Sequence, residues 1–291
     1  MSEGPSLLGL GELTKPATIL IEKISDAVGG IFKPFQLVRV AKAEAEATRL
    51  HAEAQIQITD LQRRAMHRFL AEEATKQSNI EAIAGGALPL LAESSAPQDI
   101  GNDWIANFFD KSRIVSDKDV QNLWARVLAR EANAPGAFAR KTVNVLADLD
   151  KSDAEVFSQL CGFCWNVEGT VTPLVLDSSA TIYVDRGITF GALSHLQSLG
   201  LIHFDAMAGF TLKIQVQPAI ATYAGRHLPL APALGVLDVG TVIFTRAGTE
   251  LATVCTPEVI PGFFEHVSDQ WARHSTLQQG DQSTTAKDAE P

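Results

Sequence analysis

The chain has 291 residues, 46% of them hydrophobic and 20% charged, which suffices to bury a core in two compact domains and excludes wholesale disorder. A formal net charge of -10 argues against a general nucleic-acid binder, because phosphate attraction requires a basic face. Three cysteines, Cys161, Cys164 and Cys255, form no even disulfide framework, which points to a reducing compartment.

Residues 1–35 read as an amphipathic N-terminal segment. Met1 to Gly11 carry no positive n-region, and Glu22 and Lys23 interrupt the apolar cluster Ile19-Leu20-Ile21, so a secretory signal is not expected. No run approaches the roughly 18 apolar residues of a membrane span. The expected location is cytoplasmic, with peripheral contact at the inner membrane face as the variant reading. Pro16 to Val28 predicts a helix, because Leu20, Ile21, Ile24 and Val28 recur at three- and four-residue spacing. Its apolar face is expected to dock on its own protein. The rival reading is a membrane contact made by Ile21, Ile24, Val28, Ile31, Phe32 and Phe35.

Residues 36–84 predict a long helical arm. From Gln36 to Ile83 the chain holds strong helix formers and neither glycine nor proline, so an unbroken rod would reach about 70 Å at 1.5 Å per residue. One stripe of that rod contains Leu50, Ala54, Ile58, Leu61, Ala65 and Phe69. Its steps of four, three and four make an eleven-residue period, which suits nearly straight helix pairing rather than a left-handed coiled coil. These six residues are the candidate interaction surface, and the chain is expected to form a homo-oligomer through them.

Ala84-Gly85-Gly86-Ala87 is expected to break the rod and open a helical domain over residues 85–165. Trp104, Phe108, Phe109, Leu123 and Trp124 are its expected core. Ser116-Asp117-Lys118-Asp119 and Ser152-Asp153-Ala154-Glu155 resemble capping boxes at helix starts. Asn133-Ala134-Pro135-Gly136 closes one helix, and another is expected from about Ala137 to Leu149.

Residues 166–275 predict an α+β domain. Val171 to Leu176 and Thr181 to Val184 read as strands, and Phe190 to Leu199 as a helix stopped by Gly200. Leu201 to Phe204 and Phe210 to Ile214 read as a hairpin, an order that is winged-helix-like. Val239 to Phe244 predicts a further strand and Thr245 to Leu251 a turn. A final helix is expected from about Pro261 to Trp271. Residues 276–291 are polar and predict a disordered tail. The expected fold class is therefore mainly α with a C-terminal α+β domain.

Asp103-Trp104-Ile105-Ala106-Asn107-Phe108-Phe109-Asp110, then Ser116-Asp117, then Leu123 to Gly136 resemble the bacterial domain-of-unknown-function family numbered 2806. Lys151 to Ala154, Ala192 to Ile202 and Gly248 to Leu251 are similar to its later blocks, so the likeness runs from roughly Asn79 to Trp271. That family carries no assigned activity, so the resemblance implies no chemistry. The helical block also looks like that of the abortive-infection alpha proteins, which implies a setting in phage defence.

The sequence offers no catalytic, cofactor-binding or metal residue, and no cofactor is expected. Cys161-x-x-Cys164 lies on a helical pattern and lacks further zinc ligands at suitable spacing, so its cysteines read as packed small residues. The seven histidines form neither His-x-x-x-His nor His-Glu-x-x-His. Asp117, Asp119, Glu131, Asp148, Asp150, Asp153 and Glu155 read as helix caps or solvated carboxylates. Ile188 to Leu199, the helix that would enter DNA, holds no lysine or arginine, and from Glu168 onward acids outnumber bases twelve to six. A protein partner is expected over nucleic acid. The expected function is non-enzymatic: a self-associating interaction or regulatory protein. A membrane-acting effector and a DNA-binding regulator are the alternatives.

Overall fold

The computed structural model describes residues 14–28, 59–215, 218–230 and 235–273. The chain divides into two compact units, Met1–Ala147 and Asp148–Pro291. Residues 148–165 belong to the second of these units.

In the first unit, helix α1 (Lys15–Ala27) starts after extended Thr14, with proline in its first turn, and buries Ala17, Leu20, Ile21 and Ile24. Helix α2 (Asp60–Ala87) follows. Its start corrects the unbroken rod. Thr59 is extended, its hydroxyl accepts from the Gln62 amide at 3.3 Å, and its own amide donates to Gln62 Oε1 at 2.9 Å. This reciprocal cap satisfies amides that a continuous helix would have used internally, a signal hidden in a stretch otherwise made of helix formers. The end of α2 is a second correction, because Gly85 and Gly86 lie inside the helix. A Cβ on Gly86 would sit 3.0 Å from Ala125 Cβ, so glycine here allows close helix approach and offsets its poor propensity.

Short 3-10 turns at Leu88–Leu90 and Pro97–Asp99 lead to α3 (Asn102–Ser112), α4 (Lys118–Asn133) and α5 (Arg140–Ala147). The expected core is present: Trp104, Phe108, Phe109, Leu123 and Trp124 are all buried. Phe108 stacks on Trp104 at 5.1 Å and meets Trp124 edge-on at 5.0 Å. Trp104 Nε1 donates to the Phe138 carbonyl at 2.9 Å, which gives a buried indole its partner. The cap of α4 is Asp117 rather than Ser116, accepting from the Asp119 and Val120 amides. Ser116 instead accepts from Asn79 Nδ2 at 3.2 Å.

The second unit opens with α6 (Lys151–Cys161), capped by Asp150 and Asp153 acting on each other's amides. The expected box starting at Ser152 is thus shifted by two residues. Strands β1 (Cys164–Val167) and β2 (Thr170–Pro173) form a hairpin whose turn residues, Glu168 and Gly169, both have positive φ. Such mirror-image turns match strand twist. Thr181–Val184 is a short helix, α7, and not a strand. Local β propensity yields here to burial of Tyr183, whose hydroxyl accepts from the Leu176 amide at 3.4 Å.

Helix α8 (Phe190–Ser198) ends before Gly200, and β3 (Ile202–Phe204) and β4 (Phe210–Lys213) come next. These two strands do not pair with each other, which corrects the expected hairpin. With β7 (Val236–Gly240) and β8 (Val242–Phe244), the antiparallel registers run Ile202 to Phe244, Phe204 to Val242, Phe210 to Gly240 and Lys213 to Val236. Residues 205–209 are therefore an insertion along one side of a continuous ribbon. Asp205 holds that insertion by accepting from the Met207 and Ala208 amides.

A second hairpin, β5 (Ala219–Tyr223) and β6 (Arg226–Leu230), completes a sheet of order β2-β1-β5-β6. Thr245 caps α9 (Arg246–Ala252), where only a turn was expected. The last helix, α10, covers 263–273. Trp165 is the hub of this unit: fully buried, it stacks on Tyr223 at 5.4 Å and Phe264 at 5.2 Å, and meets Trp271 edge-on at 5.3 Å.

Candidate interaction surface

Helix α2 changes character along its length. Asn79, Ile80, Ile83, Ala84 and Ala87 are buried, while every residue from Thr59 to Glu72 is exposed. The exposed half includes Leu61 at 68%, Met66 at 55% and Phe69 at 57% of their full surface. Eleven residues make about three turns at 3.6 per turn, so Phe69 lies on the same line as Ile80. Two such steps carry Leu61 onto Ile83 and Ala65 onto Ala87. The single steps between them fall on Glu72 and Lys76, so charged side chains separate the buried face from Leu61, Ala65 and Phe69, which are exposed further out on the same side.

Asp60, Arg63 and Arg64 lie across the helix from that line, whereas Arg68 and Glu72 border it, Glu72 standing eleven residues after Leu61. Arg64 meets Asp60 at 2.9 Å, Arg63 meets it at 3.7 Å, and Arg68 meets Glu72 at 3.5 Å. Pairs this exposed contribute little stability each. The three sequence-nominated residues within reach, Leu61, Ala65 and Phe69, are brought onto one line. Leu50, Ala54 and Ile58 lie outside the described residues.

The nominated membrane surface is divided differently. Ile21 and Ile24 are buried in the core of the first unit, and Lys23 Nζ donates to the Gln98 carbonyl at 3.1 Å. Val28 is half-buried. Ile31, Phe32 and Phe35 lie outside the described residues. The apolar side of α1 is therefore occupied by its own protein in this structure. Among the described residues no helix is long and apolar enough to cross a membrane.

The acidic residues serve largely as caps. Asp117 caps α4 and Asp150 caps α6. Glu131, buried in α4, accepts from the Gly136 amide at 2.8 Å and the Phe138 amide at 2.9 Å, fixing the loop after the helix. Among the described residues no group of three or more histidine, cysteine or acidic side chains is placed to hold a metal ion. Cys161 ends α6 and Cys164 opens β1, so the pair straddles a helix-to-strand junction rather than lying on one helix. Sequence reasoning missed the β5–β6 hairpin, although Ala224-Gly225, with φ of 48° and 79°, carries the glycine that such a turn favours.

Neither a curated protein nor a solved structure matches the chain. A family model does, over residues 63–268, and so begins earlier than the resemblance from Asn79 and takes in most of α2. The chain belongs to the family described as protein of unknown function, DUF2806.

Proposed function

We propose that the protein is a non-enzymatic, self-associating interaction protein, and that the first four turns of α2 pair with the same helix of a second copy. The observation that carries this reading is the exposure of Leu61, Met66 and Phe69 on the half of α2 that lies outward of its buried face. Six such side chains in a pair, at about 1.5–3 kcal/mol each, are enough to meet an association cost of about 4–15 kcal/mol. Ala65, between Leu61 and Phe69, lets two helices approach closely.

Size-exclusion chromatography with light scattering tests it. The intact protein is expected at a multiple of its 31.3 kDa chain mass, and the Leu61→Glu, Phe69→Glu double variant at one chain mass. Both positions are more than half exposed, so the variant keeps its fold. A wild type that runs as a single chain overturns the proposal.

The second unit is read as a winged-helix-like module for protein contact: α8, then Gly200, then a β-ribbon. The absence of lysine and arginine from α8 favours a protein over DNA as its partner. A setting in phage defence rests on the likeness to abortive-infection alpha proteins. Equal plaque counts on cells with and without the protein would remove it.

A further inference from the structure

A cavity of about 210 Å³ opens within the second unit, between the last turn of α6, the turn that follows α7 and the segment 256–260. Its lining includes Ser158, Arg186, Thr256 and Glu258, with Ile260 as an apolar wall. That volume is below the about 300–1,000 Å³ of sites for drug-sized ligands, so the occupant it suits is a small molecule.

Bonds behind the walls hold the cavity in shape. The hydroxyl of buried Tyr223 donates to the Gly162 carbonyl at 3.0 Å and accepts from the Ile260 amide at 2.8 Å, which ties the end of α6 to the 256–260 segment. A Cβ on Gly162 would meet the Gln159 carbonyl oxygen at 3.0 Å and the Glu258 carbonyl oxygen at 3.2 Å, so glycine lets these two walls come together. Arg186 is fixed through its backbone. Its amide and that of Ile188 both donate to the carbonyl of fully buried Tyr183 at 3.0 Å. Among the described residues, the side chains of Ser158, Arg186 and Glu258 take part in no hydrogen bond or ion pair. A guanidinium and a carboxylate therefore line one small cavity without bridging each other.

We propose that this cavity binds a free α-amino acid, with its carboxylate on the Arg186 guanidinium and its ammonium on the Glu258 carboxylate. A ligand that satisfies both side chains must carry both charges and be small, and an amino acid is the simplest such molecule. The planar guanidinium matches a carboxylate through two parallel N–H···O bonds. The ammonium has three protons to donate, one to Glu258 and another to the Ser158 hydroxyl. Ile260 offers the apolar contact for a side chain.

The test is thermal denaturation of the intact protein with each of the common L-amino acids in turn, followed by calorimetric titration of those that raise Tm. At least one is expected to bind, and its N-acetyl and methyl-ester forms, each lacking one charge, are expected not to. Glu258→Gln and Arg186→Gln are each expected to weaken binding by about tenfold or more. Glu258 is exposed, so its variant keeps the fold, and the charge-blocked forms decide the matter on wild-type protein even if the Arg186 variant does not fold. The proposal is overturned if no amino acid raises Tm, if the blocked forms raise it equally, or if the rise persists in both variants.

Discussion

His195 Nε2 on α8 lies 2.8 Å from Asp153 Oδ1 in the first turn of α6. The other carboxylate oxygen, Oδ2, accepts from the Asp150 amide at 3.1 Å, so one side chain both closes the helix cap and ties two helices of the second unit together. The partners differ in exposure: the Asp153 side chain retains 10% of its surface and that of His195 retains 56%.

That asymmetry predicts unequal mutants. Asp153→Ala loses the cap and the tie and is expected to destabilise the protein by about 1–2 kcal/mol. His195→Ala loses only an exposed contact, expected at under about 1 kcal/mol. Urea denaturation of both singles and the double variant measures the pair, and equal losses for the two singles would contradict this account.

Trp124 is fully buried, with Phe108 against its face, between α3 and α4. Truncation to alanine is expected to cost about 3–5 kcal/mol, because the cavity left in a helical core collapses only partly. Equilibrium denaturation of Trp124→Ala checks it. A loss well below that range would mean the indole is exposed in solution.

Acid should weaken the second unit. The Asp153 amide, then the Ser152 hydroxyl, hold the Asp150 carboxyl below the usual carboxylate range. The Ser179 hydroxyl and amide do the same for Asp177, and the Ala208 and Met207 amides for Asp205. A carboxyl whose folded pKa is depressed adds stability that is present above its unfolded value of about 3.9. That stability is lost as pH falls through the folded value. Denaturation midpoints are therefore expected to fall below about pH 4, with a shallower fall in Asp150→Asn and Asp205→Asn. An unchanged slope in both variants would assign the acid sensitivity elsewhere.

Much of the helical part was legible in the chain alone. Trp104, Phe108, Phe109, Leu123 and Trp124 recur at helical spacing, and a buried face needs little else to declare itself. The eleven-residue stripe through Leu61, Ala65 and Phe69 was equally readable, since periodicity is a local property of the sequence. The two capping boxes were located only to within a residue or two, because serine and aspartate compete for the same cap and side-chain geometry chooses between them.

Tertiary structure alone decided which partner each element took. Ile202 pairs with Phe244 across forty-one intervening residues, and no local pattern specifies so distant a register. Gly85 and Gly86 look like breakers until the approach to Ala125 shows why a missing side chain suits one of them. Thr181 to Val184 carries strand propensity, yet burying Tyr183 outweighs it. Whether the apolar side of α1 or of α2 remained open was likewise beyond local reading, since both are amphipathic: packing consumed Ile21 and Ile24 and left Leu61 and Phe69 in water.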